Sequence, residues 1–312
     1  MPAPKKVLLL GGLLIDRYVV TTHYPAPGGD TLIQEEFLRT GGCPFNVAKT
    51  LQALGAEPVL YSALTDDEMA KVLRRTMEEE GLSREGLYSL PGQHTGYCMI
   101  VLDRVGERTF FTFRGCEGHF DPARVTEALR REAAAVFVTG IYLLYPQWSR
   151  LAVDFLEEMA GAGVPVLFDP GSLLGEMDPV LLRRAAEAAD ILTPNRWERR
   201  EMERILGVSD LPRWALGRGA RCVAETRGAE GAVLYTADGV VEIPACPARA
   251  VDTTGAGDSF AGGLLAAMLE GRSLEEAARV ASACGALTAE AVGAYGRFGW
   301  GDVEERLRQT GG

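Results

Sequence analysis

Lysine is scarce in this chain: Lys5, Lys6, Lys49 and Lys71 are the only four in 312 residues. None completes a G-x-x-x-x-G-K-[ST] loop, which excludes P-loop phosphate chemistry. No H-R-D or D-F-G set is present, so the chain is not a protein kinase. No G-x-G-x-x-G follows the first apolar run, which weakens a dinucleotide oxidoreductase. The three histidines, His23, His94 and His119, form no metal pattern. The six cysteines, Cys43, Cys98, Cys116, Cys222, Cys246 and Cys284, contain no C-x-x-C pair and suggest no zinc site. They read as reduced thiols in a cytoplasmic protein. No apolar run reaches the length of a membrane span. The opening KKVLLLGGLLI imitates a signal peptide, but Asp16 ends it and no small-x-small cleavage site follows. Positive charge is also in deficit: the net charge is −11, which argues against a nucleic-acid partner.

What is present is a large apolar fraction, 47%, enough for a substantial core. Residues 6–15 form a continuous apolar run, the pattern of a strand buried on both faces. Residues 17–40 and 95–114 differ. Both are β-rich and broken by turn residues, and the second reads as a hairpin turning near Val105-Gly106. Together they predict a small sheet, a lid over the main body. Between them, helices are expected from Pro44 to about Leu54, stopped by Gly55, and over 66–80. From about residue 121 helices and strands alternate. Helices are expected over 122–134, 147–162, 178–188 and 195–206, and strands over 135–139, 164–168, 190–193, 221–225 and 231–236. Helices over 257–270, 274–291 and 302–310 close the chain. The alternation argues for an α/β fold with a mostly parallel sheet covered on both faces, and for one domain over 1–312.

Ligand sites in such sheets lie at the carboxyl ends of strands. Four stretches fall there. Asp252-Thr253-Thr254-Gly255-Ala256-Gly257-Asp258-Ser259-Phe260 leads into an apolar helix. The amides of Gly255, Ala256, Gly257 and Asp258 can converge on an anion. The plainer alternative is a tight turn with Asp258 as a cap. Thr226-Arg227-Gly228-Ala229-Glu230-Gly231 follows a strand, and its glycines allow close backbone approach. An ordinary hairpin has the same pattern. Asn195 and Glu198, three apart, share one helix face and offer oxygens that suit Mg²⁺ held through water. A helix cap with a surface glutamate fits as well. Gly41-Gly42-Cys43-Pro44-Phe45-Asn46 opens a helix, and with Asp16 it offers groups that bind hydroxyls. Turn chemistry is the alternative there.

These stretches, in this order, resemble the ribokinase-like (PfkB) family of ATP-dependent carbohydrate kinases, across nearly the whole chain. GGCPFNVAKTLQALG is similar to the family's N-terminal signature and DTTGAGDSFAGG to its C-terminal one. The resemblance implies a three-layer α/β/α sandwich with a small β-sheet lid. It implies a phosphotransferase that moves the γ-phosphoryl group of ATP to a hydroxyl of a sugar or sugar derivative. Asp258 would be the general base, and Gly255, Ala256 and Gly257 the anion hole. Asn195, Thr226, Gly228, Gly231, Thr254 and Ser282 would lie by the nucleotide. Asn195 and Glu198 would place Mg²⁺ through water. Asp16, Gly41, Gly42 and Asn46 would hold the substrate. Arg114, which ends the second lid hairpin in FFTFRG, either reaches an anionic or polyhydroxy substrate or faces solvent. A homodimer pairing through the lid is a further expectation.

The chain departs from the family in three places. Phe168-Asp169-Pro170-Gly171-Ser172 lacks the Asn and Arg found there in sugar-acid and fructose kinases, so no arginine clamp is expected from that loop. Gly293-Ala294 occupies the family's potassium-site segment, but the following YGRFGW does not match, which leaves K⁺ open. Bulky Phe45 precedes Asn46, where it either narrows the pocket or stacks on a ring. A nucleoside kinase is the nearest rival, with Phe45, Tyr142 and the FFTF hairpin available to stack on a base. A nucleotide-binding regulator without catalysis is a more distant one.

Overall fold

The computed structural model describes residues 4–103 and 108–310, so the turn expected near Val105-Gly106 lies outside the described residues. The chain opens with β1 (Lys6–Leu10), β2 (Leu14–Thr21), β3 (Ile33–Gly41), α1 (Cys43–Ala53) and β4 (Glu57–Leu64). Then come α2 (Glu68–Glu79), β5 (Leu87–Ser89), β6 (Tyr97–Leu102), β7 (Arg108–Phe113), α3 (Glu127–Glu132) and β8 (Ala133–Thr139). The middle is α4 (Pro146–Gly161), β9 (Val166–Asp169), α5 (Pro179–Ala188), β10 (Ile191–Leu192), α6 (Arg196–Leu206) and α7 (Leu211–Leu216). It ends with β11 (Cys222–Thr226), β12 (Ala232–Thr236), β13 (Gly239–Ile243), α8 (Ala256–Leu269), α9 (Leu274–Ala289) and α10 (Trp300–Thr310).

Among the described residues the large sheet has nine strands, in the order β13-β12-β11-β10-β9-β8-β1-β4-β5. The pairs from β5 to β11 are parallel, and β12 and β13 add an antiparallel edge. β1 sits near the middle, between β4 and β8. Its side chains alternate between two cores. Val7 and Leu9 pack with Leu51, Leu264, Val280 and Val303, from α1, α8, α9 and α10. Leu8 and Leu10 pack with Leu129, Phe155, Leu182, Met202 and Leu211, from α3 to α7. The result is the expected three-layer α/β/α sandwich. Each fully buried Leu of this kind contributes roughly 1.5–3 kcal/mol.

The segments expected to leave the main sheet do so, as a separate four-stranded sheet in the order β3-β2-β6-β7. Register separates its two faces. Asp16 lies opposite Arg39 and Cys98, in one row. Arg17 lies opposite Leu38 and Met99, and Met99 opposite Phe111, in a row on the other face.

Some expected boundaries move. The helix expected over 122–134 is a 3₁₀ turn at Pro122–Arg124 followed by the short α3. Pro122 starts that turn and Asp121 caps it; Thr126 then caps a new helix, so the segment is broken by its own capping residues. β4, β5, β13 and α7 were not expected from the sequence. No helix among the described residues is long and apolar enough to cross a membrane.

Candidate active site

Strand parity sets the floor of the site. In β9, Leu167 faces the α1/α8 core and Phe168 the opposite one. Asp169 therefore points toward α1 and α8. Thr193 follows Leu192 and so shares the parity of Ile191, on the Asp169 side, and its hydroxyl donates to Asp169 Oδ2 at 2.9 Å. Above this floor two helix N-termini meet. α1 starts at Cys43 after Gly42, whose φ of 104° and closeness to the Gly12 carbonyl exclude a side chain. α8 starts at Ala256 after Gly255, which is left-handed at φ 72°. A Cβ on Gly255 would stand 1.7 Å from the Ala294 carbonyl oxygen, so only glycine fits this turn. Gly255, Ala256, Gly257 and Asp258 thus occupy the cap and first turn of α8, whose amides have no partner within the helix.

Asp258 turns its carboxylate toward α1. Asn46 Nδ2 donates to Asp258 Oδ2 at 2.7 Å, and the Cys43 thiol also hydrogen-bonds to it. Burial pushes Asp258 up to about 6, against the lowering effect of the Asn46 and Cys43 donors. Burial and the charge of Asp258 push Asp16 up to about 7. Gly41 leaves room for that carboxylate, since a Cβ there would meet Asp16 Oδ2 at 2.1 Å. Burial, with Glu198 and Asp258 nearby, raises Asp169 well above the carboxylate range. Glu198 is raised as well, by burial first and by Asp258, against its bond to the Asn195 amide. The Asn46 Oδ1 atom is buried without a partner, an acceptor left free beside Asp258.

Asn195 and Glu198 form a reciprocal capping box on α6. Asn195 Oδ1 accepts from the Trp197 and Glu198 amides, and Glu198 Oε2 accepts from the Asn195 amide at 2.7 Å. The capping alternative therefore describes both side chains, although Glu198 is buried rather than on the surface. Thr226 is brought next to Asn195 by an isolated bridge, and its amide donates to Pro194. Gly228 and Gly231 frame a 3₁₀ turn after Thr226, both with positive φ. Ser282 reaches the same region from α9, where its hydroxyl donates to the Pro244 carbonyl at 3.2 Å. The Thr254 amide donates to Asp252 Oδ1, and the Gly293 amide to Asp252 Oδ2. These bonds tie the α8 turn to the Gly293-Ala294 segment.

Arg114 is not among the groups brought against these carboxylates. Its Nη1 donates to the Leu144 carbonyl at 2.6 Å, in the turn after β8. Phe45 and Tyr142 are not free to stack on a ligand, because both are core residues. Phe45 packs edge-on against Tyr295, and the Tyr142 hydroxyl donates to the His119 carbonyl.

Two residues of this region were not singled out from the sequence. Asp169 was noted only within a loop lacking Asn and Arg; its place at the end of a buried strand was the available signal. Glu225, at 1% exposure, anchors the loop after β11. Burial alone would raise it, but hydrogen bonds from Arg227 and Arg199 hold it below the ordinary carboxylate range.

The sequence matches the pfkB family carbohydrate kinase over residues 4–297. The chain belongs to that family. Its members are phosphotransferases that act on hydroxyl groups. The chain is 31% identical to the ATP-dependent ribose-1-phosphate kinase of Halopiger xanaduensis, over 93% of each protein. It is 28% identical to a nucleoside kinase of Methanothermobacter thermautotrophicus, over 93% of this chain and 91% of the relative. Among solved structures, the Burkholderia thailandensis nucleoside kinase in complex with inosine superposes with a TM-score of 0.80 at 27% identity, over 98% of this chain and 96% of the other.

Proposed function

We propose that this chain is an ATP-dependent small-molecule kinase that transfers the γ-phosphoryl group to a hydroxyl of a sugar or sugar derivative, with Asp258 as general base. One observation carries the reading: the Asp258 carboxylate, turned toward α1, shares the first turn of α8 with backbone amides that have no partner within the helix. An incoming hydroxyl at Asp258 gives up its proton there as its oxygen attacks phosphorus. The amides of Gly255 and Gly257 would face the transferring phosphoryl group and neutralise its charge, and that of Ala256, which donates to the Thr253 carbonyl at 3.3 Å, would join them by giving up that bond. Phosphoryl transfer asks mainly for this kind of positioning and charge neutralisation.

The substrate end of the site is acidic. Among the described residues no lysine or arginine pairs with Asp16, Asp169, Glu198 or Asp258. That favours a neutral polyol at the reacting end, with Asp16 and the free Asn46 Oδ1 accepting from its hydroxyls. Gly41 and Gly42 let the chain pass close to it. Asn195, Thr226, Gly228, Gly231, Thr254 and Ser282 would line the nucleotide side. Arg114 would act only at the rim, through the turn it already holds. Among the described residues no group of three acidic, histidine or cysteine side chains is arranged to hold a metal. The donor set therefore fits Mg²⁺ only as a hydrated ion, which Glu198 and Asn195 would hold through its waters; Mg²⁺ would supply charge neutralisation on the phosphates.

Residues 1–312 are read as one kinase domain, with the four-stranded sheet acting as a lid that keeps water from the phosphoryl group. Six unpaired cysteines fit a reducing, cytoplasmic setting. A nucleoside substrate is the second reading, favoured by the likeness to the inosine-bound nucleoside kinase.

The test is a phosphorylation panel with MgATP: ribose, ribose 1-phosphate, fructose, 2-keto-3-deoxygluconate, adenosine and inosine, each with wild type and Asp258→Asn. The variant should lose roughly 10²–10⁴ in kcat on the best substrate while still binding ATP. A near-normal rate would remove Asp258 as the base.

A further inference from the structure

Beside the cleft, Arg39, Gly293, Tyr295, Arg297 and Phe298 line a cavity of about 540 Å³, between the end of β3, the end of α9 and the start of α10. Its two arginines have no strong partner. Arg39 makes no ion pair among the described residues and is instead held over the rings of Phe37, at 5.3 Å, and Tyr18, at 6.0 Å. Its Nη1 lies 2.9 Å from where a Cβ on Gly293 would stand, so the absence of a side chain there gives it room. The Arg297 side chain is 86% exposed and 3.8 Å from Glu80, a solvent-screened pair of little strength. The two carboxylates of the cavity are already engaged. Glu290 is bound by Arg306 Nη2 at 2.7 Å and by the Arg249 amide. Asp302 accepts from the Gly299 amide at the start of α10.

Two guanidinium groups at one hollow, one of them held by aromatic rings, suit the oxygens of a phosphate group. We propose that this cavity is a second ligand site, taking a phosphate group either free or on a small phosphomonoester. Its walls belong to the parts that matter for transfer. Arg39 is two residues from Gly41, which abuts the Asp16 carboxylate. Gly293 donates to Asp252, and the next carbonyl, of Ala294, packs on Gly255. An occupant therefore bridges the base of the small sheet and the segment packed on the α8 turn.

Binding is measured by titration calorimetry with inorganic phosphate and, separately, glucose 6-phosphate. The protein is first saturated with a non-hydrolysable ATP analogue, so that the α8 turn is filled. One binding event should remain, and the tighter of the two probes identifies the source of the phosphate. Arg39→Ala and Arg297→Ala should each weaken it roughly tenfold, the loss of one charge-assisted hydrogen bond. Arg297 is exposed, so its variant keeps the test valid if Arg39→Ala unfolds. The proposal is overturned if neither probe binds the analogue-saturated protein, or if both arginine variants bind as wild type does. No turnover is involved, so this result is independent of the role given to Asp258.

Discussion

Replacing Asp16 by Asn should make the protein more stable above neutral pH, although it removes a residue placed in the substrate site. In the folded chain Asp16 titrates at about 7, against an ordinary value of 3.8. The sign follows from linkage. Below about pH 4 the carboxyl holds its proton in both states and contributes nothing. As pH rises from there, the unfolded chain releases the proton while the folded chain retains it, so stability falls. Above about pH 7 the full penalty is present. At about 1.36 kcal/mol per pH unit, the gap corresponds to a ceiling of roughly 4 kcal/mol. Asn removes the charge but still buries an amide, so the expected gain near pH 8 is roughly 2–3 kcal/mol. Urea unfolding of wild type and Asp16→Asn near pH 4 and near pH 8 measures it. The gain should shrink toward zero at the acid end. An equal difference at both pH values, or a less stable variant near pH 8, would refute the assignment of a buried, repelled carboxylate. In the same variant KM for the hydroxyl substrate should rise while KM for ATP stays put.

Other outcomes follow from the same geometry. As a base, Asp258 must be ionised, so kcat/KM should fall as pH drops through about 6; a profile flat well below that would exclude it. Gly255→Ala should destabilise the fold by roughly 1–3 kcal/mol, because the new Cβ would stand 1.7 Å from the Ala294 oxygen at a φ of 72°. Gly257→Ala meets nothing within 4 Å, so thermal unfolding should show it as stable as wild type or slightly more so, while the added methyl on the α8 turn raises KM for ATP. Leu38 and Phe111, 43% and 44% exposed, share the sheet face opposite the Asp16 row, and we expect two copies to pair there. Light scattering should give a dimer for wild type and a monomer for Leu38→Glu/Phe111→Glu; a wild-type monomer would refute the pairing.

Much of this was legible in the sequence, and the gaps have physical causes. The α8 and α1 turns announce themselves because a positive φ or a close carbonyl demands glycine, and glycine is visible as a letter. The small sheet was visible because β-rich runs surrounded by turn residues contrast with the helical stretches between them. β4 was not, because EPVLYSAL is buried on both faces and carries no period to read. Phe45 and Tyr142 looked available because sequence does not show on which side of a helix or turn a ring falls; both fall inward. Asp169 and Glu225 acquire their surroundings only when β9, β10 and β11 lie side by side. Asn195 and Glu198 show a different limit: the spacing that suggested a metal also satisfies a capping box, and in the structure the cap is the contact made.

The position of Asp258 depends on residues well away from it. A carboxylate in the first turn of a helix is favoured by the helix dipole, so left alone it would sit over its own amides and block an anion. Here it is drawn sideways by donors on α1, and α1 lies close enough to supply them because the helices pack without side chains between them. A Cβ on Gly262 would come within 2.8 Å of Thr50 Cβ, and one on Gly263 within 2.7 Å of Cys284 Sγ. The buried hydroxyls complete the clamp: Thr50 of α1 donates to Ser259 at 3.1 Å, and Thr288 of α9 donates to the same oxygen at 2.7 Å. Glycines that look like part of an apolar helix thus set the spacing of α8, Gly262 against α1 and Gly263 against α9. That spacing keeps the Asp258 carboxylate on the α1 side, away from the amides of its own turn, so enlarging Gly262 should disturb the base before it disturbs the nucleotide.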